Sequence, residues 1–492
     1  MSKLFQELID RIHYNDYNDY NDLFVQSFKG GQNNEAHTSI SAGVRDAFCT
    51  GCLRAAGFGA GCRGLCSRSG EPAGAESAAT EPIELNLWWW GEGDTPGSEA
   101  WLQETVEKYK AVAPNVTINL SQQTEDDLYP SWEASIQAGS GADIQFLWTG
   151  IYAISYIWDN HLADITELVD AEELSHWTNL EGLSYGGKPY LSPWYQISIV
   201  ILYNKELFSK AGLDPENPPQ TWEELLAACE TLKQSGVIPF ELGGIKDGWA
   251  TPWLYAVFGP AAHDSAKEYI EAGVTPGAFL EKEHMDWLSK IYELVQKGYT
   301  NPMAMSYDWY QGRESFLRGE SAMGLATNGQ AIQWINEMGG EDVAGIINIP
   351  VMGDGAMAGK LNNQAHSFAI PEFSKHKQEA ADFLVFMHQP EQLKSWYEHT
   401  KNFPCDDRFD TSWISTASEK QIYNELLNNS CIYPELYIPA QVDSEGVYAA
   451  LQSLFDNGTP ESASQMIEDT AEKWRSMNKF EFEGFEDWAA NF

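Results

Sequence analysis

From residue 83 onward, short apolar strands alternate with amphipathic helices, and this alternation limits the fold more than any other feature of the sequence. The pattern begins strand, helix, strand, helix, strand, over residues 83–90, 98–113, 116–120, 128–138 and 142–147. In the first helix, Trp101, Leu102, Val106 and Tyr109 fall on one face. Strands joined through helices at this spacing predict a parallel sheet that is covered by helices.

The second half of the chain repeats this mixture of strands and helices. We predict strands over 198–203, 237–242, 322–327 and 366–370, and helices over 221–235, 278–297, 306–318, 375–388 and most of 447–475. Thr221 and Glu224 form a capping-box pattern at the start of one of these helices. The predicted fold class is α/β, with mainly parallel sheets that are flanked by helices.

Polar and aromatic residues follow the predicted strands of the first half. Trp90, Glu92 and Asp94 come after the first strand, Gln123 after the second and Trp148 after the third. Ligands of open α/β sheets bind beyond the carboxyl ends of the strands. We therefore expect these side chains near a ligand, although each tryptophan also suits a core position.

The balance of charge narrows the classes of partner. The chain has 72 acidic and 30 basic residues, a formal net charge of -42. Binding to nucleic acid or to an anionic membrane surface requires lysine and arginine near phosphate groups, so we expect neither partner. The sequence contains no P-loop, no G-x-G-x-x-G after the first strand, no H-E-x-x-H and no G-x-S-x-G. We expect no cofactor and no metal ion.

Residues 1–81 differ from the rest of the chain, and we interpret them as an atypical N-terminal segment with a flexible linker. Four of the seven cysteines lie here, with a C-x2-C and C-x3-C spacing that some zinc sites share. Cys66 and the small-residue linker after it are typical of bacterial lipoproteins, but no apolar signal run precedes them. We hypothesise that the reading frame here is not the native one, which sequencing upstream of the Glu71 codon would test.

Five segments in a fixed order resemble those of a known family. They are residues 187–190 (GKPY), 193–195 (PWY), 201–208 (ILYNKELF), 312–324 (GRESFLRGESAMG) and 367–371 with 379–387 (EAADFLVFM). Over about residues 83–480 the chain resembles the extracellular solute-binding proteins of bacterial ABC importers, in their carbohydrate-binding branch (family 1). Trp194 and Tyr195 depart from the pattern, because the family usually has small residues just before its crossing strand.

The resemblance implies a periplasmic-binding-protein fold with two discontinuous lobes joined by hinge strands. Lobe one is expected to take residues 82–196 plus 362–405, and lobe two residues 197–361 plus 406–492, with hinges near 196–199, 361–364 and 403–408. It further implies a monomeric, non-enzymatic protein that passes a sugar to the permease subunits of an ABC importer. Such a protein is exported, and is either periplasmic or tethered to the cell surface as a lipoprotein.

A sugar presents hydroxyl groups at its edge and C–H patches on its faces, so its site needs hydrogen-bonding side chains and aromatic rings. The candidate rings are Trp90, Trp148, Trp194, Tyr195, Trp249, Trp253 and Trp309. The candidate partners for hydroxyl groups are Glu92, Asp94, Gln123, Asp247, Asn328, Asn363 and His366. Each also has a structural interpretation: the rings and His366 suit a core, and Asn328 suits a helix cap.

Several alternatives stay open at this stage. A glycoside hydrolase also needs an aromatic cleft with two carboxyl groups, about 5 Å apart in retaining enzymes, and the 72 acidic residues supply many pairs. A receptor for a non-sugar solute such as a polyamine would suit the acidity, whereas a metal receptor is disfavoured by the scattered histidines. A disulfide between Cys405 and Cys431 also stays open.

Overall fold

The structure is a computed structural model, and it describes residues 81–492. The four-cysteine pattern, the lipoprotein-like Cys66 and the linker up to residue 80 lie outside the described residues. Among the described cysteines, Cys229, Cys405 and Cys431 are free thiols, so Cys405 and Cys431 are not joined in a disulfide. No helix within residues 81–492 is both long enough and apolar enough to cross a membrane.

The strands are short and mostly buried, and they are rich in apolar and β-branched residues. In chain order they are β1 Ile83–Trp89, β2 Val116–Gln122, β3 Ile144–Leu147, β4 Ser184–Tyr185, β5 Lys188–Pro189, β6 Ser192–Ile197, β7 Ile199–Asn204, β8 Ile238–Phe240, β9 Ser321–Thr327, β10 Ala344–Ile347, β11 Leu361–Asn362, β12 Gln364–Ala369 and β13 Ser430–Cys431. Two of the sheets are small, β4 with β5 and β11 with β13.

The first main sheet has the strand order β2-β1-β3-β12-β6. β1 is parallel to β2 and β3, whereas β12 is antiparallel to β3 and β6. In β1, Leu85, Leu87 and Trp89 are buried and the side chains between them are partly exposed, because alternate side chains point to opposite faces. The carboxyl ends of β1 and β3 lie at the same edge of the sheet, where Trp90 and Trp148 follow them.

The second main sheet has the order β10-β7-β9-β8. β7 is buried along its whole length and is antiparallel to β9 and β10, whereas β8 is parallel to β9. Only Ser198 separates β6 of the first sheet from β7 of the second. The chain therefore passes directly from one sheet into the other, without a helix between them.

The α/β class with helix-flanked sheets is confirmed, but the expectation of mainly parallel sheets is wrong. The first main sheet has two parallel and two antiparallel pairs, and the second has one parallel and two antiparallel pairs. Every antiparallel pair in these two sheets contains β6, β7 or β12. A strand that enters a sheet directly from elsewhere, rather than through a helical crossover, need not follow the parallel direction.

Helices flank the main sheets, and the ends of those that the sequence predicted agree with the prediction to within a few residues. In the described part of the chain they are Ser98–Tyr109, Glu125–Ala138, Ile151–Trp158, Ala171–Leu174, Lys205–Ala211, Trp222–Gln234, Ala250–Phe258, Ala266–Val274, Lys282–Gln296, Trp309–Leu317, Asn328–Glu337, Lys377–Met387, Pro390–Thr400, Ala417–Asn428, Tyr448–Phe455, Pro460–Met477 and Lys479–Asn491. A π-helical turn, Val442–Val447, leads into Tyr448–Phe455.

Candidate functional site

A cavity of about 200 Å³ is lined by segments that follow strands of both main sheets. Part of its wall comes from β12 and from the residues after β1 and β3. The rest comes from Asp126 after β2, from Ile197 in β6, from the loop and helix after β8 and from residues 433–448. This position, beyond the carboxyl ends of strands, is where α/β folds place their ligands.

Seven aromatic side chains line this cavity, which we call the aromatic cavity: Trp90, Trp148, Tyr152, Trp249, Trp253, Tyr433 and Tyr448. The rings of Trp90 and Trp148 meet edge to face, with centroids 5.4 Å apart. Behind them, the Tyr129 hydroxyl accepts from the Trp148 backbone N at 3.2 Å and donates to the Tyr152 carbonyl at 3.3 Å. These contacts hold the rings in place before a ligand arrives, which reduces the entropy lost on binding.

The tryptophans after β8 are positioned by a tight loop and by a second layer of rings. Gly244 has φ of +78°, and a Cβ there would lie 2.9 Å from the Cβ of Trp249, so the loop requires glycine. The Trp249 backbone N donates to Oδ1 of Asp247 at 3.3 Å. Trp253 packs edge-on against Trp309, with ring centroids 4.2 Å apart. Trp309 thus supports the cavity wall from behind.

Five carboxyl groups also line the aromatic cavity: Asp94, Asp126, Asp247, Glu435 and Asp443. Asp94 and Asp443 are buried, whereas Asp126 and Asp247 are exposed. No group of three or more His, Cys, Asp and Glu in residues 81–492 is arranged to hold a metal ion. No lysine or arginine of the described chain lines the cavity. The cavity is therefore acidic as well as aromatic.

Asp443 is the most buried of these acids, with 2% of its surface exposed. The Tyr152 hydroxyl donates to its Oδ2 at 3.0 Å, and its Oδ1 has no hydrogen-bond partner within the described part of the chain. Burial raises the pKa of Asp443 to about 7, against the lowering effect of the Tyr152 hydrogen bond. The residue lies in the π-helical turn Val442–Val447, a form of helix that is frequent at functional sites.

His366 reaches the aromatic cavity from β12 and carries no charge at neutral pH. Burial lowers the pKa of His366 to about 3. Its Nδ1 forms a hydrogen bond with the Tyr195 hydroxyl, at 2.6 Å, and its ring lies 6.1 Å from that of Trp90. It adds polarity to the cavity without adding positive charge.

A second cavity, of about 290 Å³, shares Gln364 with the aromatic cavity. Three of its lining side chains are amides, Asn179, Asn363 and Gln364. The Nδ2 of Asn179, the Oδ1 of Asn363 and the Oε1 of Gln364 are buried and have no hydrogen-bond partner among the described residues. Buried polar groups are normally satisfied by protein, ligand or water, so this amide cavity offers hydrogen bonds beside the aromatic one.

The structure brings half of the candidate residues together. Seven line the aromatic cavity: Trp90, Asp94, Trp148, Asp247, Trp249, Trp253 and His366. Asn363 lines the amide cavity instead. Six line neither cavity: Glu92, Gln123, Trp194, Tyr195, Trp309 and Asn328.

The three polar residues outside both cavities form hydrogen bonds with protein groups. Glu92 accepts from the backbone N of Gly97 and of Glu99 and from the Ser98 hydroxyl, at 2.7–2.9 Å, and so caps a helix. Gln123 donates to the hydroxyl of a neighbouring serine at 2.9 Å. The Oδ1 of Asn328 accepts from the backbone N that links β6 to β7, at 3.2 Å.

The three aromatic residues outside both cavities pack in the interior. Trp194 is 5% exposed and lies against Trp396, with centroids 4.7 Å apart. Tyr195 is fully buried, and it touches the cavity residue His366 through a hydrogen bond and an edge-to-face ring contact. Trp309 stands behind Trp253. On a buried strand, a bulky aromatic side chain packs against neighbouring helices as readily as it lines a cleft.

Sequence reasoning misses ten residues of the aromatic cavity: Asp126, Tyr152, Ile197, Gly248, Pro252, Gln364, Tyr433, Glu435, Asp443 and Tyr448. Tyr152 and Gln364 carry a signal, because each lies close to a predicted strand end or hinge. Tyr433, Glu435 and Asp443 carry none. They come from the C-terminal part of the chain, and local periodicity does not reveal which distant surface such a segment contacts.

A Ser–His–Asp series lies elsewhere in the fold, without space for a substrate. The Ser192 hydroxyl lies 3.1 Å from Nε2 of His388, whose Nδ1 lies 3.0 Å from Oδ2 of Asp406. All three residues are at most 4% exposed, and Trp177 stacks on the imidazole. The adjacent cavity measures about 10 Å³, roughly the space that one water molecule needs. We interpret the series as a structural contact between β6 and its neighbours.

Comparison with known sequences finds a family and several distant relatives. The family model described as bacterial extracellular solute-binding protein matches residues 93–394. An uncharacterised ABC transporter extracellular-binding protein of Pyrococcus horikoshii is 24% identical over 384 residues, which cover 73% of this chain and 81% of that protein. The sn-glycerol-3-phosphate-binding periplasmic protein of Escherichia coli is 26% identical over 220 residues, covering 43% of this chain and 48% of that protein.

Solved structures share the fold at low sequence identity. A chitin oligosaccharide binding protein has a TM-score of 0.70 at 21% identity, over 80% of this chain and 99% of that chain. A sugar transporter protein of Bacillus licheniformis in complex with stachyose has a TM-score of 0.62 at 19% identity, over 78% and 98%. A solute-binding protein of Thermotoga lettingae bound with alpha-D-tagatose has a TM-score of 0.62 at 19% identity, over 80% and 99%.

The family assignment rests on the sequence match, and the shared fold agrees with it. The matched region, residues 93–394, is more than half of the chain and contains β2 to β12. It includes the segments after β3 and β8 that supply tryptophans to the aromatic cavity. The chain therefore belongs to the bacterial extracellular solute-binding proteins.

Proposed function

We propose that this protein binds a mono- or oligosaccharide in the aromatic cavity and delivers it to the permease of an ABC importer. The observation that carries the proposal is a cavity in which seven aromatic rings stand beside carboxyl, amide and imidazole groups. Rings cover the C–H faces of a sugar, and the polar groups bind its hydroxyls. The sugar ligands of the structurally similar stachyose and tagatose complexes support the same class of ligand here.

The same proposal divides the fold into two lobes, residues 82–196 plus 362–405 and residues 197–361 plus 406–492. Trp90, Trp148 and His366 then belong to the first lobe, and Trp249 and Asp443 to the second. Contacts that a ligand makes with both lobes exist only when the lobes are closed, so ligand binding favours the closed form. A permease that recognises the closed form would receive only loaded protein.

We attribute selectivity among sugars to buried polar groups that have no hydrogen-bond partner in the described protein and to which a ligand would supply one. The amide cavity holds unpartnered buried atoms on Asn179, Asn363 and Gln364. A buried group left without a partner destabilises a complex by about 1–3 kcal/mol. A sugar with one hydroxyl in the wrong configuration therefore binds more weakly, and a ligand long enough to pass Gln364 would use both cavities.

We place the protein outside the cytoplasm, either in the periplasm or tethered to the cell surface as a lipoprotein, as a monomer without catalytic activity. A glycoside hydrolase is the second candidate, because the raised pKa of Asp443, about 7, is a property that a general acid in an aromatic cleft needs. Incubation with oligosaccharides separates the two, since a binding protein leaves the chain length of every sugar unchanged.

A thermal-shift screen against mono- and oligosaccharides tests the proposed function. A ligand that binds only the folded protein raises its melting temperature, by an amount that grows with ligand concentration. We expect at least one sugar to raise the melting temperature and to show saturable binding by calorimetry. Absence of binding across neutral, amino and acidic sugars would contradict the proposal.

A further inference from the structure

The aromatic cavity gathers acidic side chains and has no lysine or arginine among its described lining residues. Its carboxyl groups are Asp94, Asp126, Asp247, Glu435 and Asp443. His366 is neutral, because burial lowers its pKa to about 3. A neutral sugar needs ring contacts and hydrogen bonds but no opposite charge, so it does not by itself account for a cavity that gathers acids and excludes bases.

Asp443 provides a second, independent observation. It lies in the cavity wall and is only 2% exposed, and its Oδ1 has no hydrogen-bond partner within residues 81–492. An acceptor oxygen that is removed from water and left unpaired destabilises the fold. A ligand that brings a donor to this oxygen removes that penalty, and a charged donor does so most effectively.

The aromatic rings favour the same charge. Trp90, Trp148 and Trp249 are half-buried at the cavity, and Trp253 and Tyr433 complete the wall. The face of an indole ring attracts a cation. A phosphate or carboxylate would instead meet like charges without a compensating base. The ligand of the distant sn-glycerol-3-phosphate-binding relative is therefore a poor chemical match for this cavity.

We infer that the ligand of this protein is a sugar that carries at least one protonated amino group, bound with its ammonium near Asp443 and between the indole rings. This inference rests on the proposed function, because it specifies the class of sugar bound at the same site. The ammonium supplies hydrogens to the acidic groups, and the remaining hydroxyls bind the amide groups around Gln364.

The test compares matched sugars by calorimetry on the full chain. The parent is the best-binding sugar of the thermal-shift screen, in three forms that differ only at one carbon: amino, N-acetylamino and hydroxyl. We expect the amino form to bind at least about tenfold more tightly than either neutral form. Added salt should weaken binding of the amino form, because it screens the charges, and should leave binding of the two neutral forms unchanged.

Asp443→Asn supplies the matched variant, because asparagine keeps the size of the side chain and an oxygen for the Tyr152 hydroxyl. We expect it to lose most of the preference for the amino form, so that the amino and hydroxyl forms bind the variant within about threefold of each other. Asp342→Asn, at an exposed acid outside both cavities, is the control and should keep the preference.

The outcomes separate this inference from the proposed function. Equal or tighter binding of the neutral forms overturns the inference and leaves a sugar receptor standing. Binding of spermidine with no binding of any sugar overturns both, because the cation would then be bound without a sugar. An unchanged amino preference in Asp443→Asn, with the variant folded by circular dichroism, also contradicts the assignment of the ammonium to Asp443.

Discussion

Two tryptophans show how the surroundings of a residue decide its role. Trp249 is half-buried at the aromatic cavity, whereas Trp194 is 5% exposed and packs among other rings of the core. Trp249→Ala should weaken sugar binding at least about tenfold, because it removes a stacking surface, and should change the melting temperature little. Calorimetric titration and a melting curve on the same sample measure both.

Trp194→Ala is the control for that substitution. It empties a core position, so we expect it to destabilise the fold by about 3–5 kcal/mol while the folded fraction keeps its affinity. An unchanged affinity in Trp249→Ala would remove Trp249 from the site. The two residues are both tryptophans near predicted strand ends, and only the three-dimensional packing distinguishes them.

Asp443 makes a prediction about stability and pH. Burial raises its pKa from 3.8 to about 7 in the folded protein. Between about pH 4 and pH 7 the carboxyl group is therefore protonated in the folded protein and ionised in the unfolded chain. The free energy of unfolding falls as pH rises through this range, and the loss is complete above pH 7. Asp443→Asn should melt about 2 °C higher than the parent at pH 8, with the difference disappearing near pH 4.

The titratable groups around Asp443 are Tyr152, Tyr255, Tyr433, Tyr448 and Glu435. Burial raises the pKa of Tyr152, Tyr255 and Tyr433, so these phenols stay neutral across the range. Melting curves from pH 4 to pH 8 on both proteins measure the effect, and a variant that is less stable than the parent at pH 8 would contradict it.

Among the secondary-structure elements, the helix Ser98–Tyr109 tests the role of Glu92. The Glu92 carboxylate accepts from two backbone N–H groups and one hydroxyl at the helix start. Glu92→Ala should lower the free energy of unfolding by about 1 kcal/mol, as the loss of a helix cap does, and should leave sugar affinity unchanged. Urea denaturation measures the first quantity and calorimetry the second; weaker binding at normal stability would return Glu92 to the site.

The elements were largely predictable, and their directions were not. Periodicity locates β1, β2 and β3 and the helices between them, because alternation in strands and the 3.6-residue period in helices are local. The antiparallel direction of β12 depends on where the chain re-enters the first sheet, which is a long-range property. The position of Asp443 at the aromatic cavity was not predicted for the same reason.

For the whole molecule, the proposed two-lobed architecture predicts a change of size on binding. Small-angle X-ray scattering should show a smaller radius of gyration with saturating sugar than without it, because contacts made by both lobes favour closure. Trp249→Ala, at the same sugar concentration, should remain closer to the unliganded value. An identical scattering curve with and without a sugar that binds would contradict hinged closure.

The most direct measurement of the central claim is a crystal structure of the chain with the best-binding sugar from the thermal-shift screen. We predict a pyranose or furanose ring in the aromatic cavity, stacked on Trp90, Trp148 or Trp249, with its polar groups bonded to lining acids and amides. Density for that sugar only at a site away from these rings, with the cavity between the two main sheets empty, would contradict the account.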